Sequence, residues 1–409
     1  MKEPKIRFKG FRGEWEIDKI GNFSTSFSGG TPTAGISAYY GGNIPFIRSG
    51  EIHEDKTELS LTEKGYNNSS AKIVEKGTLL YALYGATSGD VAISKIRGAI
   101  NQAILAIIPY KSVEKVFLAN FLLCNKDKIV GELLQGGQGN LSGSIVKDIN
   151  VTYPCLSEQR AIASYFQHLD SLIQSTTKKI ESLKQVKAAS LQSMFPQEGE
   201  TTPRVRFKGF EEEWEIVTLG EVGTFKSNGV DKLIKPNEKI INLLNYLDVY
   251  NSRQVTKDNC NSLMQVSASD RQIKECDIQK NDVFFTPSSE TAEDIGYVLV
   301  MRDTLPNTCY SYHLMRYRPN EGVFFEDFPN CGFMTKFVRA QIRLLAKGVQ
   351  RFVIGKTEFE SIKVQIPSYK EQMQIANFFR SLDRQITLQT QRLEKLKQIK
   401  AACLDIMFV

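Results

Sequence analysis

The chain is poor in the residues that build catalytic and metal centres. Its three histidines, His53, His168 and His313, are far apart in sequence, so no metal cluster is expected. The seven cysteines are odd in number and form no Cys-x-x-Cys pair, which fits a reducing compartment and no metal site. No apolar run approaches the ~20 residues that cross a bilayer, and the Met1-Lys-Glu-Pro opening lacks the apolar core of a signal peptide. A cytoplasmic protein with no membrane partner is therefore expected. Nucleotide and methyl-donor motifs are missing too. Between Gly348 and Gly355-Lys356-Thr357 lie six residues where a phosphate-cradling loop needs about four. No Asn/Asp-Pro-Pro-aromatic signature and no strand-associated Gly-x-Gly-x-x-Gly occurs. No active site and no bound cofactor are expected in this chain.

What is present is balanced. Hydrophobic residues make up 41% of the 409, enough for real cores, and the length allows two or three domains. A net charge of +6, from 52 basic and 46 acidic residues, is compatible with a nucleic-acid partner without requiring one.

The chain also repeats itself. Ile6-Arg-Phe-Lys-Gly-Phe-Arg-Gly-Glu-Trp-Glu16 returns 199 residues on as Val205-Arg-Phe-Lys-Gly-Phe-Glu-Glu-Glu-Trp-Glu215, and both tryptophans, Trp15 and Trp214, sit in this phrase. A second repeat runs from Ser157 to Phe195. Its apolar positions, Ile162, Phe166, Leu169, Ile173, Ile180, Leu183 and Met194, step by threes and fours, with Thr176, Lys187 and Ser190 on the same ladder. Shifted by 213, the ladder reads Ile375, Phe379, Leu382, Ile386, Leu393, Leu396 and Met407, with Gln389, Lys400 and Cys403 at the exceptions. This is the seam of a long helix that pairs with another helix, each ~60 Å long at ~1.5 Å per residue. Ser157 is the expected N-cap of the first helix, and Ser368-Tyr-Lys-Glu371 the expected capping box of the second. A parallel, in-register pair would set Lys187 against Lys400 at one core level. An antiparallel pair instead lets each lysine lay its stem on apolar surface with its charge in water, and brings Thr176 to Gln389. Val186 and Ile399 are the alternative occupants of the seam.

The boundaries follow from the repeats. They are a lead-in over residues 1–17, an insert over 18–153, a helix over 154–196, a linker with the second lead-in over 197–217, a second insert over 218–366 and a second helix over 367–409. Each insert is expected to be α+β. In the first, Gly77–Tyr84 and Gly98–Ile108 read as strands around the small-residue turn Gly85-Ala-Thr-Ser-Gly89. Val113–Gly131 reads as helix, followed by the loop Gln135-Gly-Gly-Gln-Gly-Asn-Leu-Ser142. The second repeats the order with Asn281–Phe285, the loop Thr286-Pro-Ser-Ser-Glu-Thr291, Tyr310–Tyr317, a helical stretch over 333–345 and Gly348-Val-Gln-Arg-Phe352. The frames match and the contents diverge.

This duplicated arrangement resembles the specificity subunit of type I restriction-modification enzymes over essentially its whole length. The phrases that carry the likeness are Arg-Phe-x-Gly-Phe-x-x-x-Trp, the Gly-Ala-Thr-x-Gly turn with Asn101-Gln102-Ala103, and Pro-x-x-x-Glu-Gln at Glu158-Gln159 and Glu371-Gln372. The resemblance implies two target-recognition domains alternating with two long helices in an antiparallel coiled coil, each domain reading one half of a bipartite double-stranded DNA site. It implies a non-catalytic subunit that recruits two methyltransferase subunits and, through the complex, the restriction and translocase subunits. S-adenosylmethionine, ATP and Mg would then belong to those partners, in an assembly that acts as restriction endonuclease and adenine methyltransferase in defence against foreign DNA. Two other readings make different demands. A coiled-coil adapter with two protein-binding inserts predicts no salt-dependent DNA affinity, and a self-sufficient modification methyltransferase needs the absent cofactor motifs.

Discriminating bases calls for side chains with hydrogen-bonding groups on exposed loops. The first insert offers Arg48 and Ser49, Thr87 and Ser88, Asn101 and Gln102, and Gln138, Asn140 and Ser142. The second offers Ser288, Ser289 and Glu290, Tyr312 and His313, and Gln350 and Arg351, Glu290 suiting a cytosine amino group. Lys95, Lys347 and Lys356 are candidates for phosphate. Taken singly, each residue is more simply a turn cap or a solvated loop side chain; the loops are candidates as sets.

Overall fold

The computed structural model describes residues 3–134 and 141–408, with side chains left undescribed at 132–134. Two helices dominate, Leu156–Ser193 and Tyr369–Met407. The chain divides into two compact units, residues 1–177 with 391–409 and residues 178–390, so each long helix begins in one unit and ends in the other.

In the first unit, Glu16–Lys19 pairs antiparallel with Asn150–Tyr153, Glu16 opposite Tyr153, and hands the chain to the first helix. An antiparallel sheet orders Ser24–Ser28, Ile104–Pro109, Leu79–Ala82 and Val91–Ile93. Leu79–Ala82 is buried on both faces, which is why it reads as an unbroken apolar run. A second sheet orders Ser60–Leu61, Tyr40–Ile47, Gly98–Ile100 and Lys72–Val74, with Phe46 and Ile47 parallel to Ala99 and Ile100. The apolar stretch 98–108 is therefore two strands, not one. Its break falls at Asn101–Ala103, where the Asn101 side-chain oxygen accepts the Ala103 N–H at 3.1 Å and turns the chain between sheets. The helical stretch after Val113 likewise splits, into Lys115–Cys124 and Lys126–Leu134.

The second unit follows the same plan. Glu215–Thr218 pairs with Lys363–Ile366, Glu215 opposite Ile366. The main sheet orders Gly223–Lys226, Met315–Pro319, Val283–Phe285 and Val298–Val300. Met264–Ala268, Lys239–Leu244 and Thr308–Tyr310 form the smaller sheet, so the run 310–317 is again broken between two sheets. Phe328–Gly332 and Lys336–Leu345 take the place of the two helices. Two arginines set the second main sheet apart from the first. Where the first has Ala106 and Ile108, the second has Arg316 and Arg318, read from the common pairing of Ser24 with Pro109 and Gly223 with Pro319. Arg316 Nη1 donates to Asp277 at 2.8 Å and Arg318 Nε to Asp282 at 2.6 Å. Asp282 is fully buried, and burial pushes the Asp277 carboxyl up less than Arg318, Gln279 and Arg316 hold it down.

The repeated phrases make the same contacts twice. In the first unit, Arg7 grips Glu158 through two hydrogen bonds of 2.6 and 2.7 Å; in the second, Arg206 grips Glu371 at 2.7 and 2.8 Å. Gln159 accepts the Glu114 N–H and donates to the carbonyls of Ser112 and Pro154, and Gln372 does the same with Phe325, Val323 and Pro367. The Ile6 N–H donates to the Ile406 carbonyl at 3.0 Å, and the Val205 N–H to Ser193 at 2.9 Å. Each lead-in is thus stitched to the end of a long helix. Trp15, Phe117, Phe166 and Phe408 form one ring cluster; Trp214, Phe328, Phe379 and Phe195 form its counterpart.

Within each unit the helices run antiparallel. Asp170 meets Lys400 at 2.6 Å and Tyr165 meets Cys403 at 3.3 Å in the first; Asp383 meets Lys187 at 2.5 Å in the second. The seam lysines end on carboxylates rather than in bulk water. Val186 and Ile399 point outward, 45% and 37% exposed, and do not take the seam. Thr176 is buried, its hydroxyl donating to the Leu172 carbonyl at 2.7 Å. Ser157 is not the cap of the first helix. Helix begins at Leu156, and the Cys155 carbonyl accepts the N–H groups of Glu158 and Gln159. Ser368 does cap the second, but only half of the box forms, because Arg206 occupies the Glu371 carboxylate.

Candidate nucleic-acid interface

Equivalent backbone bonds gather the loops picked from sequence at one edge of each insert. In the first, the Asn101 N–H donates to Ile47, Leu83 to Ala103, and Leu141 to Leu83, at 3.2, 2.8 and 3.0 Å. This brings the turns after residues 47, 83 and 100 beside the end of the 135–142 loop. In the second insert, Ser311 donates to Leu244 and Ile354 to Pro287, both at 2.9 Å. Close backbone passage adds one more loop to each edge. A side chain on Gly29 would stand 1.8 Å from the Ile100 oxygen, and one on Gly229 would stand 2.2 Å from the Ser311 carbonyl carbon.

Within the first edge, Gln102 is exposed and accepts from the Thr31 hydroxyl at 2.5 Å, and its side chain also bonds the Tyr84 phenol. Burial pushes the Tyr84 phenol up more than that bond holds it down. The Asn101 side chain serves as a turn cap. Arg48 is held by Glu51 at 2.9 Å and by Glu58 at 2.5 Å, which raises its pKa and spends its donors on its own loop. Ser49 opens a short 3₁₀ turn, Ser49–Glu51. In the 85–90 turn, the Ser88 hydroxyl donates to Leu83 at 3.2 Å and the Thr87 carbonyl accepts from Asp90. Ser142 caps Gly143–Lys147 by accepting the Ile145 N–H at 3.3 Å. Gln138 and Asn140 lie outside the described residues.

The second edge is more tightly knit. Arg351 Nη2 donates to the Ser288 hydroxyl at 3.1 Å, and the Tyr246 phenol donates to the Ser288 carbonyl at 3.0 Å. Ser288 is itself buried, so it is a strut between Tyr246 and Arg351. Ser289 accepts the Thr291 N–H at 3.4 Å, and Glu290 is exposed on the same hairpin. Tyr312 is 49% exposed with its ring 3.9 Å from that of His313. Burial lowers the His313 pKa, with further lowering from nearby Lys232 and Arg351. Gln350 is exposed. Of the phosphate candidates, Lys95 is exposed, Lys347 pairs with Glu358 at 2.7 Å and Lys356 with Glu360 at 3.5 Å.

Sequence reasoning passed over Tyr246, Asn245 and Lys232. A signal existed. Asp248 accepts the Asn245 N–H after Lys239–Leu244, as Glu51 accepts the Arg48 N–H after Tyr40–Ile47, so Tyr246 stands where Ser49 does. Among the described residues no group of His, Cys, Asp and Glu is arranged to hold a metal, and no helix is long and apolar enough to cross a membrane. Each edge offers amides, hydroxyls, a phenol and, in the second, an arginine and an imidazole. That is the chemistry of base-edge hydrogen bonding.

Comparison with known proteins gives the same direction. The family model described as the type I restriction modification DNA specificity domain matches residues 12–185 and 211–398. Over 235 residues the chain is 28% identical to the type I restriction enzyme MjaIX specificity subunit of Methanocaldococcus jannaschii, covering 51% of each, so it matches about half the length of that relative. It is 18% identical over 400 residues to the MjaVIII specificity subunit of the same organism, covering 96% of this chain and 92% of that one. The fold is similar to the crystal structure of the type I restriction-modification S subunit from M. genitalium, with a TM-score of 0.63 and 16% identity over 100% and 99% of the two chains. A chain solved in work on complex assembly and conformational transition of the type I R-M system matches at 0.51 and 14%, covering 96% of both.

Proposed function

The chain belongs to the type I restriction-modification DNA specificity family, and from that membership we propose how it works: each recognition domain reads one half of a bipartite DNA site while the repeated frame carries the partner subunits. The observation behind this reading is the contrast between frame and loops. Arg7–Glu158 and Arg206–Glu371 repeat to within 0.1 Å, whereas the loops at the two edges share almost no side chain. A part that must meet the same partner twice stays the same, and a part that meets two different sequences differs.

Exposed apolar side chains on the frame support two like partners. Ile6 and Val205 are 55% and 53% exposed, Ile17 and Ile216 are 54% and 49%, and Val186 and Ile399 recur in the same manner. Bare apolar groups at matched positions suit two copies of one subunit. On this reading those copies are methyltransferase subunits that bring S-adenosylmethionine, and the restriction and translocase subunits bring ATP and Mg. The chain alone then shows no methyl transfer, ATPase or nuclease activity.

The test is co-expression of the chain with the methyltransferase subunits, followed by mapping of methylated sites. Exchanging residues 18–153 for another recognition domain should change one half-site and leave the other half-site and the spacer alone. An unchanged methylation pattern would overturn the reading, as would S-adenosylmethionine turnover by the purified chain.

A further inference from the structure

Val349 is 93% exposed, more than any other large hydrophobic side chain among the described residues. Its loop is built to hold it out. Lys347 and Val353 exchange backbone hydrogen bonds of 3.0 and 2.9 Å, and Ser288 and Ser289 pair with Val353 and Phe352. Arg351 is tied to Ser288. Gly348 has φ +143°, and a side chain there would meet the Arg351 carbonyl oxygen at 2.0 Å, so only glycine closes this turn. Val349 and Gln350 are left at the tip, and the Gln350 side chain holds no partner among the described residues. Arg351, exposed two residues on from Val349, adds a cation to the same loop.

A fixed aliphatic group beside a free amide and an arginine narrows the ligand. In the DNA grooves the bases present one aliphatic group, the thymine C5-methyl, and it faces the major groove. The side chains that wedge between base steps are typically Phe, Leu, Ile, Met or Pro, and valine is not among them. Glutamine pairs with adenine through N6 and N7. We propose that Val349 is a specificity-determining residue that reads a thymine methyl in the half-site recognised by residues 218–366, with Gln350 against the adenine of that pair or the next.

This rests on the DNA-reading assignment made above, and the test keeps the two apart. The half-site belonging to residues 218–366 is first mapped by methylation, using the full chain with its methyltransferase subunits. Binding of that complex is then measured on duplexes in which each thymine of the half-site is replaced singly by deoxyuridine, which removes only the methyl. One replacement should weaken binding about three- to fivefold, the worth of one buried methyl. Val349→Ala should bind the thymine duplex more weakly by about that factor and no longer distinguish thymine from uracil there. Val349→Ile, which keeps the aliphatic contact, should retain the distinction. Since Val349 is solvent-exposed, both variants should melt with the parent, which separates lost contact from lost fold. Uracil sensitivity that persists in Val349→Ala, or a half-site with no sensitive thymine, overturns the proposal and leaves the wider reading intact. A complex whose half-sites do not follow the recognition domains sinks both.

Discussion

The two recognition domains share a skeleton and use it differently at the edge that carries the loops. Arg48 and Arg351 show the difference. Arg48 is pinned by two carboxylates of its own loop, Glu51 and Glu58. Arg351 leans on a single neutral hydroxyl, Ser288. The first edge is fixed by charge pairing and displays amides and hydroxyls; the second is fixed by Tyr246 and Ser288 and displays a cation, an imidazole and bare aliphatic tips. Loops with one scaffold beneath them are free to diverge because the scaffold's stability does not pass through them. Stability lies in the frame, and the proposed reading puts specificity in the loops.

The frame can be broken first. Phe408 packs 5.3 Å from Phe117 in the first unit, and Phe195 packs 5.5 Å from Trp214 in the second. Phe408→Ala should destabilise the first unit by about 3–5 kcal/mol and Phe195→Ala the second by as much. Hydrogen exchange resolves the two, and equal loosening of residues 18–153 and 218–366 by either variant would refute the division. Arg206→Met comes next. It strands Glu371, which is 1% exposed, and should cost about 3 kcal/mol. Adding Glu371→Leu should recover much of that loss, and a double variant no more stable than the single one would count against the buried pair.

Inserting four residues near Thr176 tests the frame as a ruler. Four helical residues add ~6 Å against ~3.4 Å per base pair, so the unread spacer should grow by one or two base pairs with both half-sites unchanged. Methylation mapping reads this directly, and a changed half-site with a fixed spacer would contradict it. The smallest effects separate the two arginines. Arg351→Ala should lower DNA affinity about tenfold, whereas Arg48→Ala, which removes loop-internal surface pairs, should change it less than about twofold. The reverse order would exchange the roles of the two arginines.

Much of the frame was legible because it is local and periodic. The heptad ladder, the constant shifts of 199 and 213 and the like charges at Lys187 and Lys400 required an antiparallel pair, and each unit contains one. The cap at Cys155 was missed because Pro154 and the Gln159 amide, not the Ser157 hydroxyl, decide where the first helix starts. The apolar run 98–108 conceals its break, since both halves are buried and only the Asn101 side chain marks the turn. At the edges, composition named the loops but not the jobs of their side chains. Whether an arginine is spent on Glu51 or left on Ser288 depends on the approach of another segment. So does the partnering of Arg316 and Arg318 with Asp277 and Asp282, about 40 residues away. Residue type carries no trace of that approach.

The stitching of each lead-in to a helix end has a consequence in time. Phe195 leaves the ribosome before the domain it helps to close, so the second unit can fold as it is made. The first unit waits. Its core needs Met407 and Phe408, both buried. At roughly 5–20 residues per second, the earliest domain to be translated stays unplugged for about 10–45 s while the whole of its twin is synthesised. A ribosome that stops after residue 390 would release a finished second unit beside an open first one. Quality control would then meet half a reader, with the aromatic floor around Phe117 and Phe166 exposed to whatever chaperone arrives first.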